Sequence, residues 1–354
     1  MFFQINDYFK LLQSYVFDTK VLVVIDKIRL YIMEMKKKQV VILGVFSPIG
    51  QALISCLADQ GFDSEQVQLL DTEPNADMVL PYGNETLVVQ DLTTFDFKYS
   101  TVIFLCTPSI LSTHLDAVLE QGHYLIDCTG ILGTEPCIIP SLNLKALKKQ
   151  ETNIITNPTS LSITLAQVLS PIHQAFSVQY AQDTAMISVS EFGIEATNAL
   201  ISQTRSLYTR EAPPKGPFQK IQAFNLIPEP YPILSRQTMA QLKTLLHFPV
   251  TVATCLAPIF QGECHSLIFT TRKKCQTKDL KKVFKKHPYC RLTEEINPYL
   301  TLTTQDTALS PYFFLTHLSV VPYRENTFHL WIVCDSIRTG TAFNAVQIAK
   351  HILS

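Results

Sequence analysis

The chain has 354 residues, of which 47% are hydrophobic and 17% are charged, so it can form two α/β domains and is neither disordered nor fibrous. Its net charge of −1 argues against general electrostatic binding to nucleic acid. Its nine cysteines form no CxxC pair and no zinc-type spacing with histidine. This pattern favours reduced thiols in a cytoplasmic protein.

Residues 1–38 form an N-terminal extension that ends in the run Lys36-Lys37-Lys38. Charged residues such as Asp7 and Asp18 interrupt its apolar stretches, so no span approaches the roughly 20 residues that a bilayer requires. No small-residue cleavage site follows, which argues against a signal peptide. We therefore expect no membrane association. Either the extension is an amphipathic helix that packs on a partner or on the domain, or translation starts at Met33 or Met35.

A strand, a turn and a helix follow the extension. The apolar run Val40-Val41-Ile42-Leu43 predicts a buried parallel strand, and residues 44–50 have the spacing of a dinucleotide-binding loop. Gly44 permits a tight turn, Gly50 permits close helix packing, and the Ile49 amide belongs to the helix N-terminus that would face a pyrophosphate. Ser47 replaces the middle glycine. The alternative is a Rossmann-like half that has kept its shape and lost affinity.

A second strand over residues 66–70 ends at Asp71, about 20 residues after the loop. A carboxylate there can accept a hydrogen bond from a ribose 2′-hydroxyl and would repel a 2′-phosphate, so it favours NAD over NADP. Further strands are predicted over residues 101–105 and 124–127, with a helix over residues 117–119 between them. This alternation predicts a doubly wound parallel sheet.

The stretch Ile154-Ile155-Thr156-Asn157-Pro158-Thr159-Ser160 predicts a strand that ends in a sharp turn before a helix. Such a turn suits a thiolate nucleophile, because amides at a helix start stabilise an anion. Ser160 stands where that thiol would be. A serine needs a neighbouring base to become nucleophilic. The alternative is that Ser160 is the N-cap of the helix.

The order of these motifs resembles aspartate-semialdehyde dehydrogenase over roughly residues 39 to 354, and in particular its Usg-type relatives. The resemblance is carried by Gly44-x-x-x-x-x-Gly50, Leu125-Ile126-Asp127, Ile139-Pro140-Ser141-Leu142-Asn143, Asn157-Pro158, Ala223-Phe224-Asn225-Leu226-Ile227-Pro228, His317-Leu318-Ser319-Val320 and Asp335-Ser336-Ile337-Arg338-Thr339-Gly340-Thr341-Ala342-Phe343-Asn344-Ala345-Val346-Gln347.

The resemblance implies an α/β fold with two domains and a homodimer. A Rossmann-like parallel-sheet domain would span residues 39–156, and an α+β catalytic and dimerisation domain would span residues 157–334. Residues 335–354 would return as a helix to the nucleotide domain, with Gly340 at the cofactor. The implied reaction is reductive dephosphorylation of aspartyl phosphate through a cysteine thioester and NADPH.

The catalytic groups of the family do not carry over residue by residue. Its cysteine corresponds to Ser160, and its orienting glutamine falls on Ile187 when Ser190 and Gly193 anchor the alignment. Its phosphate-binding arginine falls at Gly133. Its carboxylate-binding arginine falls at Leu256 or Pro258, depending on the gap. The acid-base histidine corresponds to His265, although a histidine on a strand also often satisfies a local hydrogen bond.

Three other features remain. A lysine-rich run between Arg272 and Lys286 predicts a solvated helix face, or else a contact for an acidic partner or nucleic acid. Cys128 is a candidate substitute thiol at the rim of the site. Glu191 and Glu195 are four residues apart and either share one helix face or lie on a turn in the active-site loop. We expect a surface role for them rather than acid-base catalysis.

The sequence therefore predicts a cytoplasmic, dimeric protein of the dehydrogenase fold without semialdehyde dehydrogenase activity. NAD or NADP binding would be retained, and the role would be a binding or regulatory one. One alternative is an oxidoreductase that uses Ser160 or Cys128 on an altered acyl or aldehyde substrate. A second alternative is a structural partner of a true dehydrogenase. Neither a metal site nor a nucleic-acid or membrane partner is expected.

Overall fold

The computed structural model describes residues 39–73, 75–108, 122–133, 136–149, 152–293 and 301–354. Within these ranges the chain forms two seven-stranded sheets. The N-terminal extension and the helix expected over residues 117–119 lie outside the described residues. In the part of the chain that is described, no helix is long and apolar enough to cross a membrane.

The first sheet is parallel except at one edge. Its strands are β1 (Gln39–Leu43), β2 (Val67–Asp71), β3 (Val79–Tyr82), β4 (Glu85–Asp91), β5 (Ser100–Leu105), β6 (Tyr124–Asp127) and β7 (Ile154–Thr156). Their order is β3-β4-β2-β1-β5-β6-β7, and the β3–β4 pair is antiparallel. Central β1 is apolar and almost wholly buried, because a parallel sheet is covered on both faces. The predicted Rossmann-like sheet is confirmed.

The helices connect and cover the sheets. They are α1 (Pro48–Asp59), α2 (Pro140–Leu147), α3 (Ser160–Phe176), α4 (Gly193–Thr209), α5 (Pro232–Leu246), α6 (Thr277–Lys285) and α7 (Phe343–Leu353). Helix α3 is buried around most of its circumference, as expected of a helix that is apolar on several faces. Helix α6 buries Leu280 and Phe284 and leaves Lys278, Lys282 and Lys285 exposed. The lysines therefore lie on the exposed side of α6, as both the solvated face and the partner contact require.

The second sheet is mixed. Its strands are β8 (Val178–Ile187), β9 (Ile227–Pro228), β10 (Val250–Leu256), β11 (Glu263–Thr271), β12 (Cys290–Leu292), β13 (Phe313–Val320) and β14 (Thr327–Cys334). Their order is β12-β13-β14-β11-β8-β10-β9, with β8 parallel to β10 and antiparallel to β11. Helices α3, α5 and α6 pack with this sheet in one apolar core. It is the α+β part of the predicted fold.

The end of the chain returns to the first sheet. After β14 a π-helical turn, Ser336–Ala342, leads into α7. Val346, Ile348 and Ala349 of α7 are buried in the same core as β1. The Arg338 guanidinium donates to Ser55 Oγ at 2.8 Å and pairs with the Asp59 carboxylate on α1. The π-helical turn is thereby fixed between the two sheets, beside the start of α3.

Candidate functional site

A cleft of about 740 Å³ opens where the strands of the first sheet end. The residues that follow the carboxyl ends of β1, β2, β5, β6 and β7 line it: Gly44, Asn75, Cys106, Cys128 and Asn157. Asp71, the last residue of β2, lines it as well. Ligands of open α/β sheets bind outside this edge, at the point where strand order reverses. The opposite wall comes from residues 190–194, which lead into the start of α4, and from α5.

The loop after β1 has the geometry of a dinucleotide loop. Gly44 has φ +82°, a conformation that side chains disfavour. A Cβ on Gly50 would lie 2.6 Å from Gly44 O and 2.8 Å from Val45 Cα, so glycine allows α1 to pack directly on the loop. Ser47 is the N-cap of α1. Its hydroxyl donates to Gly44 O at 2.8 Å and accepts from Gly50 N at 3.0 Å.

These contacts show what the serine does in place of the middle glycine. The Ser47 hydroxyl is used inside the loop and does not project as an additional ligand. Pro48 lies at the first helical position, where a missing N–H costs least. The Ile49 amide lies in the first turn, where no helix carbonyl can accept from it. Gly44, Ser47, Ile49 and Asp71 all line the cleft, and Gly50 supports it from behind.

Asp71 is 8% exposed and organises the loop that follows β2. Its Oδ1 accepts from Thr72 N at 2.8 Å and from Asn75 Nδ2 at 3.3 Å. Its Oδ2 is 3.4 Å from Phe46 N in the glycine loop. The carboxylate therefore faces the glycine-loop end of the cleft and has polar partners on both sides.

The elbow before α3 forms as predicted, with one correction. Thr159, and not Ser160, is the N-cap, because the Thr159 side chain accepts from Ser162 N. Ser160 is the first helical residue and is 4% exposed to the cleft. Asn157 Nδ2 donates to Thr341 O at 3.0 Å, and Asn157 Oδ1 accepts from Asn344 Nδ2 at 2.7 Å. Two buried amides thus join the elbow to the end of the chain.

Glu191 corrects the expectation that it lies at the surface. It is partly buried in the cleft wall, where Ser160 Oγ donates to Glu191 Oε2 at 3.2 Å. Ser336 Oγ donates to the other carboxylate oxygen. Burial and then the nearby Glu263 carboxylate raise the pKa of Glu191 to about 7, although the two serine hydrogen bonds lower it. Glu195 is exposed.

Sequence reasoning did not link Ser160, Glu191 and Ser336. One signal was available: in the alignment anchored on Ser190 and Gly193, Glu191 occupies the first glycine of the family's Gln-Ala-Val-Ser-Gly-Ala-Gly stretch. A carboxylate in place of a glycine in an active-site loop is a chemical change that spacing alone could have identified. Ser336 follows Asp335 in the closing motif and gives no comparable signal.

His265 does not line the cleft. It is fully buried, with Nδ1 2.8 Å from Asp183 Oδ2 and Nε2 3.1 Å from Glu263 Oε1. Although burial alone would lower the pKa of His265, the two carboxylates raise it to about 10. Glu263 also accepts from Thr164 Oγ1 at 2.6 Å. His265 therefore lies in a buried ion-pair cluster, whereas the resemblance implied an acid-base group beside Ser160.

Of the two remaining candidate positions, Cys128 lines the cleft and Gly340 packs behind it. Cys128 lines the cleft, but its hydrogen bond with Cys106 and its burial hold the pKa of the thiol well above the ordinary range, so it is a poor thiolate. A Cβ on Gly340 would lie 3.3 Å from Ser160 Cα, so this glycine sets how closely the π-helical turn approaches the elbow. Its neighbours Ile337 and Thr341 line the cleft.

The charge of the cleft is one-sided. Among the described residues that line it, Asp71 and Glu191 carry ionisable carboxyl groups, and none is lysine, arginine or histidine. Gly133 is exposed, Ile187 and Leu256 are buried, and none of the three lines the cleft. The positions that resemblance gives for the family's two arginines and its glutamine thus provide neither a guanidinium nor an amide to this site.

Two family models match the chain. The description "Semialdehyde dehydrogenase, NAD binding domain" matches residues 39–150, which include the glycine loop and Asp71. The description "Semialdehyde dehydrogenase, dimerisation domain" matches residues 169–339, which include Glu191 and all seven strands of the second sheet. The two matches therefore fall on the two sheets in the order in which the chain forms them.

Known proteins of similar sequence span nearly the full length of the chain. Aspartate-semialdehyde dehydrogenase of Rickettsia typhi is 26% identical over 334 residues, which is 90% of this chain and 98% of that protein. The USG-1 protein homolog of Azotobacter vinelandii is 24% identical over 331 residues, 89% of this chain and 97% of that protein.

Solved structures show the same fold. A probable aspartate-semialdehyde dehydrogenase from Pseudomonas aeruginosa superposes with a TM-score of 0.81 at 23% identity, covering 89% of this chain and 98% of that one. The Candida albicans aspartate semialdehyde dehydrogenase with NADP gives 0.65 at 13% identity, covering 89% and 98%. With the two family matches, the shared fold and the full-length relatives, the chain belongs to the aspartate-semialdehyde dehydrogenase family.

Proposed function

We propose that this protein is a dinucleotide-binding member of its family that lacks semialdehyde dehydrogenase activity. The observation that carries the proposal is the composition of the cleft. It presents Ser160 at the elbow and two carboxyl groups, and none of its described lining residues is lysine, arginine or histidine. Thiolate attack and arginine binding of phosphate act as a unit, and removing one such member typically costs orders of magnitude in rate.

The charge of the substrate of the family reaction also argues against semialdehyde dehydrogenase activity. Aspartyl phosphate carries negative charge at both ends. Two unit charges 4 Å apart interact by about 4 kcal/mol at an effective dielectric constant of 20. An anionic ligand next to the ionised Glu191 carboxylate would therefore be repelled, where a site for it needs bidentate guanidinium partners.

The residues of the glycine loop fit a dinucleotide. Gly44 adopts the positive φ that the tight turn requires, and the first turn of α1 presents the Ile49 amide. The Ser47 hydroxyl donates to Gly44 O within the loop and so does not occupy the space beside it. These groups would hold a pyrophosphate through backbone donors and the helix N-terminus. When bound, the cofactor would supply or accept a hydride at the end of the cleft that Ser160 and Glu191 line.

We propose that NAD is preferred over NADP. The Asp71 carboxylate lies at the end of β2, where it can accept from a ribose 2′-hydroxyl. It is held there by Thr72 N and Asn75 Nδ2, so it cannot turn away from a 2′-phosphate without losing both hydrogen bonds. Repulsion of that phosphate lowers affinity for NADP.

We also propose that the protein acts as a homodimer in the cytoplasm, with α4 at the interface. Ile194, Ile201 and Tyr208 recur every seven residues along α4 and are 64%, 51% and 77% exposed. Seven residues are about two turns, so they form one stripe. Phe224, 67% exposed, extends the stripe through a ring contact with Tyr208. An apolar surface of this kind marks a protein contact.

Calorimetric titration with NAD and with NADP, followed by a turnover assay with aspartate semialdehyde and phosphate, tests the proposal. We expect heat of binding for NAD, weaker binding for NADP and no reduced cofactor in the assay. The Asp71→Ser variant should lose the preference for NAD. The Rickettsia typhi relative, named as a dehydrogenase, serves as the positive control for the assay.

A Ser160→Cys variant is the matched control for the chemistry. It restores a thiol at the elbow but no guanidinium, so we expect it to remain inactive with aspartate semialdehyde. Turnover by the wild-type protein that disappears in Ser160→Ala would overturn the proposal. Absence of binding by either cofactor, together with formation of a mixed dimer with a dehydrogenase relative, would favour a structural partner instead.

A further inference from the structure

Three side chains from distant parts of the chain form a hydrogen-bonded series that extends from the buried interior to the cleft. Ser160 Oγ donates to Glu191 Oε2 at 3.2 Å, and Ser336 Oγ donates to Glu191 Oε1. Ser336 is fully buried, whereas Ser160 and Glu191 line the cleft. The inner serine thus holds one carboxylate oxygen, and the other oxygen is left to accept the proton of the outer serine.

This arrangement meets the requirements for an activated serine. A serine becomes nucleophilic when a base within about 2.6 to 3.2 Å can take its proton. Burial and the Glu263 carboxylate raise the pKa of Glu191 to about 7. A base whose pKa lies near the working pH is the most effective one, so Glu191 is better matched to this task than an ordinary surface carboxylate.

The lining of the cleft defines what can approach the serine. Phe192, Ile194, Tyr231 and Leu234 form its apolar wall. Phe192 and Tyr231 are in ring contact at 5.3 Å. Glu191 places a carboxylate beside Ser160, and the described lining of the cleft holds no cationic side chain to oppose it. Juxtaposed like charges are costly in a binding site, so anionic acyl groups and phosphate leaving groups are disfavoured.

We propose that Ser160 and Glu191 form a nucleophile and base pair that hydrolyses carboxylic esters with an uncharged or positively charged acyl group. The pair requires no cofactor, so this inference is independent of dinucleotide binding. Ser336 is a positioning residue, because it acts through Glu191 and does not itself line the cleft.

The reaction balances with water as the co-reactant. Ser160 Oγ forms a bond to the ester carbonyl carbon while its proton passes to Glu191 Oε2. The bond between carbonyl carbon and alkoxy oxygen breaks, and Glu191 returns the proton to the leaving alcohol. Water then attacks the acyl serine, again with its proton passing to Glu191. The carboxylic acid leaves and Ser160 regains its hydrogen.

The start of α3 can stabilise the oxyanion that forms in each step. The Ser160 amide lies in the first turn of a 17-residue helix, where no helix carbonyl is available to accept from it. Donors of this kind at a helix N-terminus stabilise developing negative charge. The nucleophile is therefore at the one end of α3 where the charge it creates is best tolerated.

Hydrolysis of p-nitrophenyl esters by the purified full chain tests the proposal. Three acyl groups are compared: butyryl, the succinyl half-ester and a trimethylammonio acyl group. We expect kcat/KM for the uncharged and cationic esters to exceed that for the anionic ester by about tenfold or more, because the anionic acyl group would lie beside the Glu191 carboxylate. A tenfold difference corresponds to roughly 1.4 kcal/mol. The rate should rise with pH through about 7, as Glu191 ionises.

Variants assign the roles. Ser160→Ala should abolish turnover, and Glu191→Gln should lower kcat by roughly a hundredfold or more, as for loss of a general base. Ser336→Ala should shift the midpoint of the pH profile upward, because the Ser336 hydrogen bond lowers the pKa of Glu191. The matched control is Ser235→Ala. Ser235 donates to Glu229 Oε2 at 2.8 Å outside the cleft, so its loss should leave the rate unchanged.

A second measurement covers variants that fail to fold. The wild-type chain is treated with a fluorophosphonate, which reacts with activated serines, and the labelled peptide is identified by mass spectrometry. We expect the label on Ser160. Label on another serine, equal hydrolysis by wild type and Ser160→Ala, an unchanged pH profile in Glu191→Gln, or preference for the anionic ester would each overturn the proposal.

Discussion

Replacing His265 by glutamine should unfold the second sheet more readily, because it removes the positive charge from a buried cluster. His265, Asp183 and Glu263 are fully buried. Asp183 Oδ1, Glu263 Oε2 and His265 Nε2 have no hydrogen-bond partner among the described residues, so Nε2 faces Glu263 Oε1 at 3.1 Å as an ion pair rather than as a directed hydrogen bond. The two carboxylates therefore depend on the imidazolium between them, and a buried charge left without its partner is strongly destabilising.

The magnitude follows from the pKa of the histidine. Raising it from 6.5 to about 10 corresponds to roughly 5 kcal/mol of stability at about 1.4 kcal/mol per pH unit. Breaking a buried ion pair costs about 3 to 5 kcal/mol in other proteins. We therefore expect the free energy of unfolding of His265→Gln to be lower than that of wild type by about 3 to 5 kcal/mol at pH 6.

The sign of the pH dependence is fixed. The pKa of His265 is higher in the folded chain than in the unfolded chain, so its protonation stabilises the folded state. This contribution is complete below pH 6.5, the pKa of the unfolded chain, and is lost as the pH rises through about 10. The difference between wild type and His265→Gln should therefore shrink with increasing pH, by about 1 kcal/mol per unit across this window.

Urea denaturation at several pH values, followed by the fluorescence of Trp331, measures this difference. Trp331 is the single tryptophan of the chain and pairs with Ser266 on the neighbouring strand, so its signal reports on the second sheet. His351→Gln at an exposed position is the matched control. A triple variant with Asp183→Asn and Glu263→Gln should recover part of the lost stability, because it leaves no unpaired charge.

Two results would refute the reasoning. A difference between wild type and His265→Gln below about 1 kcal/mol at pH 6 would mean that the imidazolium does not support the buried carboxylates. A difference that stays constant up to pH 10 would mean that His265 is neutral in the folded protein.

Three further predictions concern the cofactor loop, the interface and the cleft thiol. In the Gly50→Ala variant the new Cβ would lie within 2.8 Å of the loop backbone. We expect this overpacking to abolish NAD binding in calorimetry and to lower the free energy of unfolding by about 1 to 3 kcal/mol; unchanged affinity for NAD would contradict this. Tyr208→Glu should yield monomers in analytical ultracentrifugation, while Tyr323→Glu at a fully exposed position should not; a persistent dimer would place the interface elsewhere. Cys128 should remain unmodified by iodoacetamide at pH 7.5, because its thiol pKa is raised and it is buried; rapid labelling detected by mass spectrometry would restore it as a candidate nucleophile.

Local patterns in the sequence determined the elements and their type. Apolar runs such as Val40–Leu43 predicted buried parallel strands because such strands are covered on both faces. Asn157-Pro158 predicted the elbow because proline restricts the residue before it. The cap of α3 was misplaced by one residue, since Thr159 and Ser160 are both good capping residues and sequence spacing does not choose between them. The motif order was sufficient to recognise the family.

Tertiary structure decided which side chains meet. Ser160, Glu191 and Ser336 belong to three segments, and they meet because β8 and β14 both flank β11 and end beside the start of α3. The periodicity of apolar residues along the sequence does not predict that these three side chains are close together. Their proximity arises from strand order and from packing between distant segments. The same packing placed His265 between the buried carboxylates of Asp183 and Glu263 and away from the cleft. The residue types of the site were visible in the sequence, but their protonation states and partners depend on burial and neighbours that only the folded chain provides.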